Sequence, residues 1–106
     1  MLGDAFFVSP SVNKRTVKLP DGTEHELYFR KVSSYDYSRF IAHAGSKVPD
    51  ERAEAAHILV AASLCEADGK PAITVEKARA LKPEALDPIF AMAMEINKRE
   101  ESQGNA

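Results

Sequence analysis

Ser63-Leu64-Cys65-Glu66-Ala67-Asp68-Gly69-Lys70-Pro71 is the stretch whose reading decides the fold, because apolar residues at helical spacing flank it on both sides. Asp68-Gly69 offers the left-handed backbone that glycine adopts without steric cost, and Pro71 stops a preceding helix from running through. The stretch is therefore expected to form a tight turn between two buried helices. A calcium-loop reading fails on its ligands. Counted from Asp68, the third residue is Lys70 and the fifth is Ala72, where oxygen donors are needed.

Upstream of the turn, Ala55, Ala56, Ile58, Leu59, Val60, Ala62 and Leu64 cover most of a helical circumference. A helix over about 50–66 is thus expected to be buried on nearly every side, with Asp50 and Glu51 at its positive end. Downstream, Thr74 can cap a short helix over 74–81, and Leu86, Ile89, Phe90, Ala93 and Ile96 form the stripe of a last helix over 84–99, ending in Lys98-Arg99. Pro88 removes an amide in the second turn of that helix. The helix is expected either to restart there with Asp87 as N-cap or to begin as a loose 3₁₀ segment.

Farther out, Ser33-Ser34-Tyr35-Asp36 has the form of a capping box, and Tyr37, Phe40, Ile41 and Ala44 continue it as a helix over 34–44 that Gly45-Ser46 ends. Thr16-Val17-Lys18-Leu19 and Glu26-Leu27-Tyr28-Phe29-Arg30 flank Pro20-Asp21-Gly22-Thr23, a strong hairpin cue, so 14–31 is expected to be a β-hairpin. A lone hairpin is marginal and must pack on helices or pair with another edge. Residues 1–13 have no periodicity and are expected to form an arm, and 100–106 a frayed tail. The fold class is α+β, mainly α: an N-terminal β-hairpin followed by about four helices in a small bundle, one domain over 14–99.

The 106 residues suffice for one core. Fourteen Lys and Arg against sixteen Asp and Glu leave a net charge of −2, which argues against a nucleic-acid partner and points to other proteins. The single cysteine, Cys65, sits in an apolar run and is expected to be structural and inert. No run approaches the roughly 18 apolar residues of a membrane span, and the N-terminus lacks the pattern of a secretory signal, so a cytoplasmic location is expected. His25, His43 and His57 fall in different elements without metal-ligand spacing. There is no Gly-rich phosphate loop, nucleophile elbow or catalytic carboxylate pair. No enzymatic activity, metal or cofactor is therefore expected.

Two features suggest binding. Met92 and Met94 lie beside the stripe of the last helix, and methionine adapts to varied partner side chains. Phe6, Phe7 and Val8 form an apolar run on the arm, which either tucks onto the core or docks on a neighbour.

The order of these elements resembles that of the tail assembly chaperones of long-tailed siphophages. The residues that carry the resemblance are Tyr28-Phe29-Arg30-Lys31-Val32-Ser33, Leu59 to Ala62, the stretch Ser63 to Pro71, Leu86-Asp87 with Phe90, and Ile96-Asn97, together spanning about two-thirds of the chain. The chain departs from the family pattern in lacking a Trp in the first strand, in Pro88, and near Thr74-Val75-Glu76, where an acidic residue usually follows the turn. The resemblance implies a protein of the host cytoplasm, absent from the mature virion, that coats and solubilises the tape measure protein while the tail is built. It implies a homo-oligomer, spiral or ring, and a tail tube protein as second partner through a frameshifted extension. On that reading Phe6, Phe7 and Val8 would contact neighbouring subunits and Met92 and Met94 the client. Two other functions compete: a small DNA-binding regulator, which would need a basic recognition helix, and a structural virion connector, which would remain in purified particles.

Overall fold

A computed structural model describes residues 2–98. After a 3₁₀ turn over Asp4–Phe6, the chain runs β1 (Val12–Lys18), β2 (Glu24–Arg30), α1 (Ser34–Ala44), α2 (Pro49–Ser63), β3 (Leu64–Cys65), α3 (Val75–Ala78) and α4 (Pro83–Ile96). The fold is α+β and mainly α. The expected tail over 100–106 lies outside the described residues.

β1 and β2 form the hairpin, antiparallel from Val12↔Arg30 to Lys18↔Glu24. Its loop closes with Gly22 N–H to Leu19 O and Leu19 N–H to Thr23 O, both 2.9 Å, and Gly22 has φ +91°. This is the bonding of a three-residue hairpin loop with a left-handed glycine at its end. Alternation turns Val17 and Phe29 inward, both buried, with Leu27 partly buried beside them.

The turn at Asp68-Gly69 differs from expectation. It does not join two helices: α2 ends at Ser63 rather than near 66, and Leu64 enters extended backbone at φ −71°, ψ 127°. Leu64 and Cys65 then pair with Phe29 and Tyr28 as a third strand, giving the sheet order β1-β2-β3. Beyond the turn Cys65 bridges Pro71, and Ala72 N–H reaches Leu64 O at 3.2 Å. The apolar spacing that suggests more helix is overridden by pairing with a strand distant in sequence, a choice that periodicity alone cannot make for a short apolar run. The loop itself repeats the first one, with Gly69 N–H to Glu66 O at 2.9 Å, Glu66 N–H to Lys70 O at 2.8 Å, and Gly69 at φ +90°.

The helices start where their caps dictate. Ser33 Oγ accepts the Asp36 amide at the head of α1, Thr74 Oγ1 accepts the Lys77 amide at the head of α3, and Pro49 and Pro83 open α2 and α4. α3 is a single turn, after which Leu81 N–H still bonds Ala78 O. α4 neither restarts nor loosens at Pro88. It runs through the proline and ends at Ile96 rather than near 99. One helical bond is lost there, to the Glu84 carbonyl, and Glu84 lies on the exposed side where water can take that group.

α2 is the centre of the molecule. It packs against α1, α3, α4 and β3, burying Ala55, Ile58, Leu59, Val60 and Ala61. The core closes around them with Val17, Phe29, Phe40, Leu64, Ile89, Ala93 and Ile96. Phe40 meets Tyr37 and Phe90 with ring centroids 5.9 Å apart in each pair, tilted by 62° and 60°.

Candidate protein-binding surface

The end of the domain where β2, α2 and α4 terminate is held by a buried polar node. Ser63, fully buried, donates from Oγ to Arg30 O at 2.7 Å and accepts Asn97 Nδ2 at 3.3 Å. Asn97, the C-cap of α4, also donates to Ala93 O at 2.9 Å and accepts Val32 N–H on Oδ1 at 2.7 Å. The Arg30 guanidinium donates to Ala62 O at 3.1 Å and Gly69 O at 2.7 Å. One strand end, two helix ends and the second Asp-Gly turn are thereby tied together. Among the described residues, no buried side-chain nitrogen or oxygen lacks a partner. Arg30, Ser63 and Asn97 are all present in the stretches that carry the family resemblance. Their shared role is visible only in three dimensions.

On this frame lies the arm. Its 3₁₀ turn is made by Phe6 N–H to Gly3 O and Phe7 N–H to Asp4 O, and Ser9 and Ser11 bond to each other before β1 begins. Phe6 is 72% exposed, Phe7 63% and Val8 46%. Rings left in water at such levels keep most of their apolar area available for a partner. The arm forms one wall of a groove of about 680 Å³, with Val32 to Ser34 at the strand-to-helix junction, Tyr37 of α1 and Asn97 and Lys98 after α4 completing it.

Met94, 40% exposed, lines a second groove of about 470 Å³ together with Ala91, Glu95, Tyr37, Asn97 and Lys98. The two grooves share Tyr37, Asn97 and Lys98, so the arm and Met94 belong to one surface. Met92 is placed apart from them. It is half-buried, packs against the core, and lines a smaller cleft with Val17 and Pro88 on the β1 side of α4.

The titratable groups carry structure. Burial pushes the Cys65 thiol up, away from the reactive thiolate. The Thr23 hydroxyl and amide hold the Asp21 carboxyl below its ordinary value, as Arg79 does for Glu54, with which it forms a two-pronged ion pair. His43 and His57 each donate from Nδ1 to a carbonyl one helical turn back, Arg39 O and Ala53 O, while His25 lies 2.9 Å from Thr23 Oγ1. Among the described residues, no three His, Cys, Asp or Glu side chains gather in a way that could hold a metal ion, and no helix is long and apolar enough to cross a membrane.

Compared with known proteins, the structure is similar to that of the bacteriophage HK97 tail assembly chaperone, with 18% sequence identity and a TM-score of 0.59, covering 95% of this chain and 91% of that one. At this identity the likeness is one of fold. The resemblance read from the sequence thus extends to the three-dimensional arrangement. No family model matches the sequence, and no curated protein matches it.

Proposed function

We propose that this chain is a phage tail assembly chaperone, a non-enzymatic protein that binds the tape measure protein and keeps it soluble while a tail is assembled. The observation that carries the reading is the agreement of fold with a tail assembly chaperone over nearly the whole length of both chains. The exposed apolar surface formed by the arm and Met94 supports it, because a solubilising partner must present apolar area to its client. Repetition along a long helical client would make each contact's modest strength sufficient. The chain would act as an oligomeric coat, spiral or ring, in the cytoplasm of the infected host, and would leave before the virion is complete. The tail tube protein would join through a frameshifted extension of the same reading frame.

On this reading Met94 contacts the client, Met92 packs against the core apart from that contact, and Phe6, Phe7 and Val8 meet both the client and neighbouring subunits. Because the arm groove and the Met94 groove share three residues, the arm also borders the client's path. The test is co-expression with the tape measure protein. The client is expected in the soluble fraction with this chain and in the pellet without it. Equal precipitation in both cases would overturn the proposal, and finding the chain in purified particles would favour a virion component instead.

A further inference from the structure

The arm groove differs in charge from the rest of the molecule. The chain as a whole carries −2, yet among the described residues the charged ones that line this groove are Lys31 and Lys98, with no carboxylate beside them. Both lysines are exposed, and neither enters an ion pair among the described residues. Lys31 follows β2 and Lys98 follows α4, so the two lysines come to the same groove from different elements. The apolar share of the wall is Ala5, Phe6, Phe7, Val8, Val32 and Tyr37. The adjoining Met94 groove lacks this bias, since Glu95 stands there beside Lys98. A neutral apolar segment would leave both charges unmatched at its edges, and a basic one would meet like charge.

We infer that the arm groove binds a protein segment whose apolar stretch is flanked by carboxylates, its apolar side chains on Phe6 and Phe7 and its carboxylates on Lys31 and Lys98. The inference rests on the chaperone reading for the existence of a protein client and adds the chemistry by which a stretch of that client is chosen. Charge at the rim governs selection and encounter, while the aromatic wall supplies the contact area.

The experiment uses the full chain and two labelled Leu/Ala peptides of about twenty residues, long enough to form a helix, alike except for Glu pairs or Gln pairs at both ends. Fluorescence anisotropy at roughly 50 mM salt should show the Glu-ended peptide binding about tenfold tighter, the worth of two partly screened ion pairs. The preference should vanish in Lys31→Gln/Lys98→Gln and at roughly 500 mM salt, where the Debye length falls to a few ångströms. Equal binding of the two peptides, or a preference that survives the double substitution, would overturn the inference. So would a Glu100→Gln/Glu101→Gln chain that binds both peptides more tightly, because the lysines would then serve the chain's own C-terminal residues. Failure here leaves client solubilisation untouched. A chain that shows the preference but leaves the client insoluble would overturn the chaperone reading alone.

Discussion

At Leu19-Pro20-Asp21-Gly22-Thr23, and again at Glu66-Ala67-Asp68-Gly69-Lys70, the chain reverses through the same three-residue loop. In both, a glycine near φ +90° follows an aspartate whose Oδ1 accepts the amide two residues on, from Thr23 at 2.9 Å and from Lys70 at 3.0 Å. Around Gly22 there is open space, and the loop ends a two-stranded ribbon in solvent. Gly69 instead lies with its carbonyl under the Arg30 guanidinium, and a Cβ built on it would stand 3.6 Å from Val12 Cγ2. The first loop needs only local chemistry. The second is a fixed point from which the buried node reaches β2, α2 and α4.

The contrast is sharpest at Arg30. Replacing it by Met removes two charge-assisted bonds and leaves the carbonyls of Ala62 and Gly69 without their donors, a loss of about 3 kcal/mol. For a domain of this size that is a fall in Tm of roughly 10–20 °C by calorimetry. Thr23→Val, which strips the side-chain bond to Asp21 in the first loop, should cost about 0.5–1 kcal/mol. Similar losses for the two would erase the distinction between them.

Breaking the node from the other side, Asn97→Leu leaves the Val32 amide without its acceptor and the Ser63 hydroxyl without the donor it accepts from, for about 2 kcal/mol. Hydrogen exchange should then quicken at Val32 while the amide of Leu19 in the first loop stays protected. The glycines come next. Gly22→Ala forces a Cβ into the left-handed region for about 1 kcal/mol, and Gly69→Ala should cost about twice that, because Arg30 prevents the loop from relaxing. Equal values in urea titrations would mean that the second turn is as free as the first.

The smallest effect is in acid. The Thr23 bonds lower the folded pKa of Asp21 below its unfolded value, so the ionised carboxylate stabilises the fold. That contribution is present above the ordinary aspartate pKa of about 3.9 and is lost as pH falls through the folded value. The Tm difference between the intact chain and Asp21→Asn, open at pH 6, should therefore narrow steadily as pH falls below the ordinary aspartate value. A gap that does not narrow with falling pH would assign the effect to something other than the charge.

The same comparison shows how much of the fold was legible in the sequence. The first Asp-Gly is flanked by alternating apolar and polar residues, so its hairpin follows from local pattern. The second carries as strong a turn signal, but it follows a run apolar on all sides. The pairing of Leu64 with Phe29 decides where helix gives way to strand. Likewise the capping serine of α1 is local and readable. The use of Asn97 as a partner for Val32 and Ser63 joins residues distant in sequence. Of the candidate binding residues, the arm's apolar run was visible as a run, but only packing separates half-buried Met92 from exposed Met94.

The node matters to the proposed function because it fixes the strand and helix ends on which the arm groove and the Met94 groove are built. Phe6→Glu/Met94→Glu places charge on that surface at two exposed positions and should leave the unfolding free energy within about 1 kcal/mol of that of the intact chain. The most direct measurement is the fraction of tape measure protein that remains in the supernatant after refolding with the intact chain or with this double variant. The account predicts a soluble client with the intact chain and a sedimenting one with the folded variant; a client that stays soluble equally well with both, or sediments with both, would contradict it.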